Sequence, residues 1–323
     1  VRNHCGVFDV SHMGEVTVKG PDAEKYVNHI FTNDITNAPK GQIYYGMMLY
    51  ENGGTVDDLL VYKMGENDFF LVINAANIDK DFDWMQKNAE GFDIELKNES
   101  EYYGQLAVQG PEAESVVETV LGIPCKELVF YTSKTVEKDG ETIIISRTGY
   151  TGEDGFEIYG SHDFIRRQWD ALMESGKCKP CGLGCRDTLR FEVGLPLYGD
   201  ELSENISPVM AGLSMFCKLD KPEFIGKEAI AKQKAEGVKQ KLVGIELFDR
   251  AIPRHGYKVL HDGKEIGVVT TGYHTISTDK SVCMALIDTE YSKLDTEVSI
   301  QIRKKTFKGK VVKKRFYDKH YKK

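Results

Sequence analysis

The 323-residue chain is poor in proline (9) and tryptophan (2), and no apolar run approaches the ~20 residues of a membrane-spanning helix. Its longest run, Phe69 to Ile73 with Ala75 and Ala76 just beyond, has the length of a buried strand. Positive charge is not in excess. The 42 Lys and Arg face 50 Asp and Glu, which excludes an overall basic nucleic-acid binder. Seven cysteines are an odd number in a long chain, so a secreted disulfide framework is disfavoured and a reducing compartment favoured. Three of them form a C-x2-C-x3-C run, Cys178, Cys181 and Cys185. No fourth cysteine lies nearby and no histidine follows within fifty residues, whereas a four-ligand metal site needs a second ligand pair. Gly182-x-Gly184 lacks the third glycine and the preceding strand of a dinucleotide loop. An initiator Met and a signal-like stretch are also missing. The chain begins Val1-Arg2-Asn3 and reads as a fragment, with its own N-terminal segment and any targeting signal upstream.

What is present describes a globular protein: 41% hydrophobic and 28% charged residues, in a length suited to about two domains of ~150 residues each. Charge is unevenly spread. Arg303 to Lys323 holds eleven Lys/Arg and one acid, so the remaining 302 residues carry a formal −18. Apolar residues punctuate the basic end, as in Thr306-Phe307-Lys308-Gly309-Lys310-Val311-Val312, which suggests strands with solvated lysines. Lys304, Lys305, Lys308, Lys313 and Lys314 are the residues there that could steer an acidic partner.

Two segments resemble each other 90 residues apart: Val18-Lys19-Gly20-Pro21-Asp22-Ala23-Glu24 and Val108-Gln109-Gly110-Pro111-Glu112-Ala113-Glu114. Each reads as a strand, a glycine turn, and a helix opened by proline with acids in its first turn. A strand–helix unit used twice suggests an α+β domain with internal duplication. Between the copies, Val56–Lys63 and Asp68–Asn74 read as a hairpin joined by Met64-Gly65-Glu66-Asn67. If Tyr62 pairs near Phe70, Asp57 and Asp58 lie opposite Ala75 and Asn74. Helices are expected after a Ser161 cap and over Cys185–Val193. From Leu242 onward only short strands follow, six in all, the pattern of a small antiparallel barrel or sandwich. The domain boundary falls near residues 225–241.

Two segments are candidates for chemistry. In Gly53-Gly54-Thr55-Val56-Asp57-Asp58-Leu59, strand alternation sends the two carboxylates to opposite faces, and apolar neighbours on both faces put at least one acid in a dry setting. The competing reading is that both acids satisfy turn amides at a strand start. In Ser146 to Ile158 (SRTGYTGEDGFEI), three glycines in seven residues permit close backbone approach to a ligand. Glu157 alternates with Phe156 and Ile158, and the competing reading makes it an exposed strand carboxylate.

The segments GVFDVSHMGE (Gly6–Glu15), GGTVDDLLVYK (Gly53–Lys63), SRTGYTGEDGFEI (Ser146–Ile158), KPCGLGCRDTLRFE (Lys179–Glu192), PLYGDEL (Pro196–Leu202), KLDKPEFIGKEA (Lys218–Ala229) and IPRHGY (Ile252–Tyr257) run end to end in the order of one family. The chain resembles the aminomethyltransferases, the T-proteins of the glycine cleavage system. That resemblance implies an α+β fold: two interleaved antiparallel-sheet and helix lobes forming a folate-binding unit over residues 1–225, which lacks some forty N-terminal residues, and a small antiparallel β-barrel over 241–323, in a three-lobed cloverleaf. It implies transfer of a one-carbon unit from an aminomethyl-lipoyl carrier protein to tetrahydrofolate, with release of ammonia and formation of 5,10-methylenetetrahydrofolate.

By the same resemblance, Asp57 is the catalytic carboxylate. Glu157 meets the paired pterin N–H donors, Arg186 the glutamate-tail carboxylate, and Met13, Tyr45, Asn74 and Tyr150 line the folate cavity. Tetrahydrofolate is the co-substrate, and neither metal nor flavin is implied. The partners implied are the lipoylated carrier (H-protein) and, through it, glycine decarboxylase and dihydrolipoyl dehydrogenase, with no nucleic acid and no membrane. The location implied is the cytoplasm in a bacterium, which is favoured, or the mitochondrial matrix in a eukaryote. His12 belongs to the motif, with a structural role expected. Met215 stands where Trp is usual, Met210 where Glu is frequent, and Cys185 where Ala is usual. The rival functions are folate-binding iron–sulfur assembly factors of the same fold and tetrahydrofolate-dependent demethylases. The former carry a Lys-Gly-Cys-x-x-Gly-Gln-Glu motif, for which this chain has Arg-Thr-Gly-Tyr-Thr-Gly-Glu instead.

Overall fold

Gly20 and Gly110 hold the same unusual conformation, with φ of 129° and 128°. A Cβ at either would run into a backbone carbonyl, that of Asp93 or that of His4, so glycine is required at both turns. In each copy the glycine carbonyl accepts from the Ala three residues on, Ala23 or Ala113, at 3.0 Å. The internal repeat read from the sequence is therefore a repeated turn geometry. It departs from expectation in one respect: the helices start two residues after the prolines, at Ala23 and Ala113.

A computed structural model describes residues 1–322. In chain order its elements begin with β1 (Gly6–Asp9), β2 (Gly14–Lys19), α1 (Ala23–Ile30), β3 (Ile43–Leu49), β4 (Thr55–Gly65), β5 (Asp68–Ile73), α2 (Ile78–Lys87) and β6 (Glu95–Asn98). There follow β7 (Tyr103–Gln109), α3 (Ala113–Val116), β8 (Ser133–Lys138), β9 (Glu141–Ser146), β10 (Gly155–Ser161), α4 (His162–Ser175), β11 (Lys179–Pro180), α5 (Leu183–Glu192) and α6 (Lys227–Glu236). The chain divides into two units. One holds Val1–Met48, Asp57–Arg186 and the segment from Lys319; the other holds Leu49–Val56 and Asp187–Asp318.

The first unit contains two sheets, with strand orders β11-β1-β7-β10-β9-β8 and β3-β4-β5-β2-β6. The sheets interleave along the chain, because β1 belongs to the first, β2 to β6 to the second, and β7 to β11 to the first again. The β1–β7, β7–β10, β2–β5 and β4–β5 pairings are antiparallel, whereas β1 pairs in parallel with the two-residue β11. The expected hairpin register holds, with Tyr62 opposite Phe70. Helix α4 packs on the first sheet through Phe164, Ile165 and Leu172, which join Val7, Leu106, Val108, Phe156 and Ile158 in one core. The Ser161 hydroxyl caps that helix, accepting from the Phe164 N–H at 3.2 Å.

In the second unit six strands, β12 (Gln240–Leu247), β13 (Lys258–His261), β14 (Lys264–His274), β15 (Ser281–Asp288), β16 (Glu297–Ile302) and β17 (Lys305–Val312), close in the order β12-β15-β14-β13-β16-β17. These are the six short strands read from the alternation, and closure removes both sheet edges. Ile245, Val259, Val269, Ala285, Ile300 and Val311 fill the barrel. Most of the basic end lies on solvated faces, but Lys314 does not. It is half-buried with its ammonium on the Ala211 carbonyl, and burial lowers it to about 8. It therefore leaves the set of steering lysines.

Candidate active site

The Asp57-Asp58 pair sits near the start of β4, and β5 ends beside it at Asn74. The Asn74 side-chain amide donates to Asp57 Oδ1 at 2.8 Å and to Asp58 Oδ1 at 3.0 Å, and the Asn74 backbone N–H donates to Asp57 Oδ2 at 3.0 Å. Beyond this shared amide the surroundings diverge. Asp57 is fully buried. It also accepts from Asn77 Nδ2 at 2.8 Å and acts electrostatically on Asp81 of α2. Burial and then the neighbouring Asp57 push Asp81 up to about 10 against the pull of Lys80, so Asp81 holds a proton at neutral pH.

Asp58 turns the other way. Its Oδ2 accepts from the Tyr45 hydroxyl at 2.8 Å. Burial, and then the Asp57 charge, push Asp58 up to about 7, while the Tyr45 and Asn74 bonds pull it down. The Tyr45 phenol is raised by burial and by the charge of Asp58, with Tyr150 and Tyr131 contributing. Tyr131 feels Glu157 as well as Asp58 and is held at φ 64°, an unusual conformation for an aromatic residue. Nothing in the sequence singled Tyr131 out.

Glu157, at the centre of β10, is 5% exposed, so it is not the exposed strand carboxylate of the competing reading. Gln105 Nε2 donates to its Oε1 at 2.9 Å and the Thr148 hydroxyl to its Oε2 at 2.6 Å. Burial raises its pKa, and Thr148, Arg186 and Gln105 oppose that rise. The Arg186 guanidinium lies 4.8 Å from the centre of the Tyr150 ring, and its Nη1 is buried with no hydrogen-bond partner among the described residues. Met13 packs on the cluster of Tyr62, Phe70, Val72 and Tyr159. All seven residues proposed from the sequence thus belong to the first unit. Contacts or electrostatic influence link six of them, and Met13 joins through its packing.

Arg147 supports the loop that carries Thr148 and Tyr150. Its guanidinium donates to Asp154 Oδ1 at 2.8 Å, Glu114 Oε2 at 2.9 Å and the Leu128 carbonyl at 2.8 Å. Two of the three glycines of this loop, Gly149 and Gly155, have a different cause from the one expected. A Cβ at Gly149 or Gly155 would strike the Gln109 side chain, which donates to the Thr148 carbonyl at 3.0 Å and accepts from the Thr151 hydroxyl at 2.8 Å. They make room for a protein side chain. Among the described residues no three His, Cys, Asp or Glu side chains converge as a metal site would require, and no helix is long and apolar enough to cross a membrane.

Comparison with known proteins decides the family. Residues 1–221 match the GCVT N-terminal domain and residues 240–318 the glycine cleavage T-protein C-terminal barrel domain. The chain belongs to the glycine cleavage T-protein family, the aminomethyltransferases. It is 51% identical to the aminomethyltransferase of Alkaliphilus oremlandii, an alignment covering 100% of this chain and 89% of that one. It is 49% identical to that of Lysinibacillus sphaericus, covering 98% and 88%. A crystal structure of the glycine cleavage system aminomethyltransferase T from Bartonella henselae superposes with a TM-score of 0.95 at 32% identity, covering 100% of this chain and 89% of that chain. The resemblance read from the motifs is borne out, as are the mixed α+β class and the C-terminal barrel. The activity is that of a transferase in the glycine cleavage system, and tetrahydrofolate is the family's substrate.

Proposed function

We propose that the first unit binds tetrahydrofolate between Glu157 and Arg186 and presents it to Asp58, for transfer of the one-carbon unit from an aminomethyl-lipoyl carrier with release of ammonia. The observation that carries this reading is the pair of dissimilar carboxylates in one site: Glu157 held by two neutral donors, and Asp58 poised near neutrality behind Tyr45. The residues fit the ligand's chemistry. A buried carboxylate suits adjacent pterin N–H donors, and the partnerless Arg186 Nη1 suits an anionic tail. Tyr45, Tyr150, Met13 and Tyr131 supply surface for flat rings. When bound, tetrahydrofolate supplies the nitrogen that accepts the carbon.

On sequence grounds the acting charge falls on Asp57, but the surroundings of the two acids favour Asp58. The Asp57 oxygens are occupied by three amide hydrogen bonds, with Asp81 beside them, and the residue has no exposure. Asp57 therefore positions Asn74, and Asn74 positions Asp58. Asp58 in its charged form stabilises positive charge developing on the transferred carbon and its nitrogen. The wider reading includes a lipoylated H-protein as donor and, through it, glycine decarboxylase and dihydrolipoyl dehydrogenase as partners. It also includes a bacterial cytoplasmic location and domains at 1–225 and 241–323.

Ammonia release from an aminomethyl-loaded lipoyl carrier, followed with and without tetrahydrofolate, tests the reading. Release that is fast only with folate supports it, and equal rates overturn it. The rate at saturating substrates should fall as pH drops through about 7, because Asp58 takes up its proton there and loses the useful charge. A rate that rises on acidification would remove Asp58 from that role. Glu157→Gln puts an amide donor against the pterin donors, and folate affinity measured by titration should weaken ~10–100-fold.

A further inference from the structure

The first unit holds five cysteines that the proposed transfer does not use, and four of them flank β1, β11 and α5: Cys5 before β1, Cys178 before β11, Cys181 just ahead of α5, and Cys185 in its first turn. The Cys5 and Cys178 Sγ atoms are 3.3 Å apart, and both residues are buried. Their backbones are in register. Gly6 pairs with Lys179 in parallel, and the Lys179 N–H donates to the Cys5 carbonyl at 3.1 Å, so the two cysteines are the next positions across neighbouring strands. Neighbouring strands run about 5 Å apart, inside the ~4.4–6.8 Å between Cα atoms that a disulfide accepts. Moving the sulfurs from contact to bonding distance takes roughly 1.3 Å of side-chain adjustment.

We propose that Cys5 and Cys178 form a thiol–disulfide modification site, closed by exchange with a low-molecular-weight disulfide. The two thiols are in hydrogen-bond contact, and Cys178, next to the edge strand β11, attacks first as the one that opening of that edge uncovers. Its thiolate displaces one thiolate from the reagent and forms a mixed disulfide. Cys5, giving its proton to the released thiolate, then attacks Cys178 Sγ and displaces the second. The two protein thiols lose two electrons and two protons, and the reagent disulfide becomes two thiols. Access comes through β11, a two-residue strand at the sheet edge and the least costly part of the sheet to open. The bond ties β11 to β1 immediately ahead of α5, the helix that carries Arg186. The half-buried Cys181, in thiol contact with Cys185, is the competing site.

The full chain is incubated with oxidised glutathione, remaining thiols are alkylated in denaturant, and peptides are mapped by mass. A Cys5–Cys178 linked peptide is expected, with a Tm higher by ~5 °C or more that dithiothreitol reverses. Cys181→Ser should keep both the link and the shift. Cys5→Ser and Cys5→Ala should lose them, either variant sufficing where the other does not fold. A link confined to Cys181–Cys185, glutathione adducts alone, no oxidation, or a Cys5–Cys178 link with unchanged Tm would each overturn the proposal.

Discussion

Asp58→Asn should lower the rate of folate-dependent ammonia release about a hundredfold at saturating carrier and folate, corresponding to ~3 kcal/mol of lost transition-state stabilisation. The substitution keeps the side chain's shape and an oxygen for the Tyr45 hydroxyl, which donates to it at 2.8 Å, but removes the charge. Folate affinity should change far less, since Glu157 and Arg186 contact other parts of the ligand in the proposed site. Asp57→Asn should behave differently. An amide there offers one acceptor oxygen where Asp57 now receives three amide hydrogen bonds, and its NH2 would oppose Asn74 or Asn77. A lower Tm is expected, with a smaller fall in rate that follows from misplacing Asn74. Near-normal turnover in Asp58→Asn beside an inactive, stable Asp57→Asn would reverse the two roles.

The largest stability effect is expected in the second unit, at Arg190. Both Arg190 and Glu201 have no exposure. The Arg190 guanidinium donates to Glu201 Oε2 at 2.7 Å, to Asp187 Oδ1 at 2.7 Å and to the Thr271 hydroxyl at 3.2 Å. Glu201 also accepts from the hydroxyls of Thr270 at 2.6 Å and Thr271 at 2.7 Å, and from the Leu197 N–H at 3.0 Å. Arg190→Leu leaves Glu201 charged, buried and without its cation, and should destabilise the unit by ~3–5 kcal/mol. At ~2–4 °C per kcal/mol, the transition in a calorimeter should drop by about 10 °C or more. A drop of only a degree or two would mean that the three neutral donors suffice for Glu201.

Parts of the site were legible because strand chemistry is local. The turn-rich Met64–Asn67 and the alternation on either side of it set the Tyr62–Phe70 register, which brings Asn74 to the acidic pair. Alternation also separates Asp57 from Asp58 by face, but it does not say which face is which. That is decided by α2 and its N-cap residue, which set Asp81 and Asn77 beside Asp57. Gly149 and Gly155 of the 146–158 loop misled in a similar way. Their spacing suggests a ligand approaching the backbone, whereas Gln109 on β7, distant in sequence, fills the space. Tyr131 carries no signal at all, because its left-handed backbone and its neighbours are set by how the chain passes between α3 and β8.

By itself, the sequence determined the class of the fold, the six barrel strands, the hairpin register and the family, because these rest on local periodicity, turn chemistry and motif order. Only the tertiary structure decided which carboxylate is caged and which is poised, that Glu157 is buried rather than exposed, that Lys314 is held inside its unit, and that Cys5 meets Cys178. Each of these depends on partners far away along the chain, whose burial and charge shift an ionisable group or bring two thiols into contact. Residue spacing holds no record of such distances; they follow from packing.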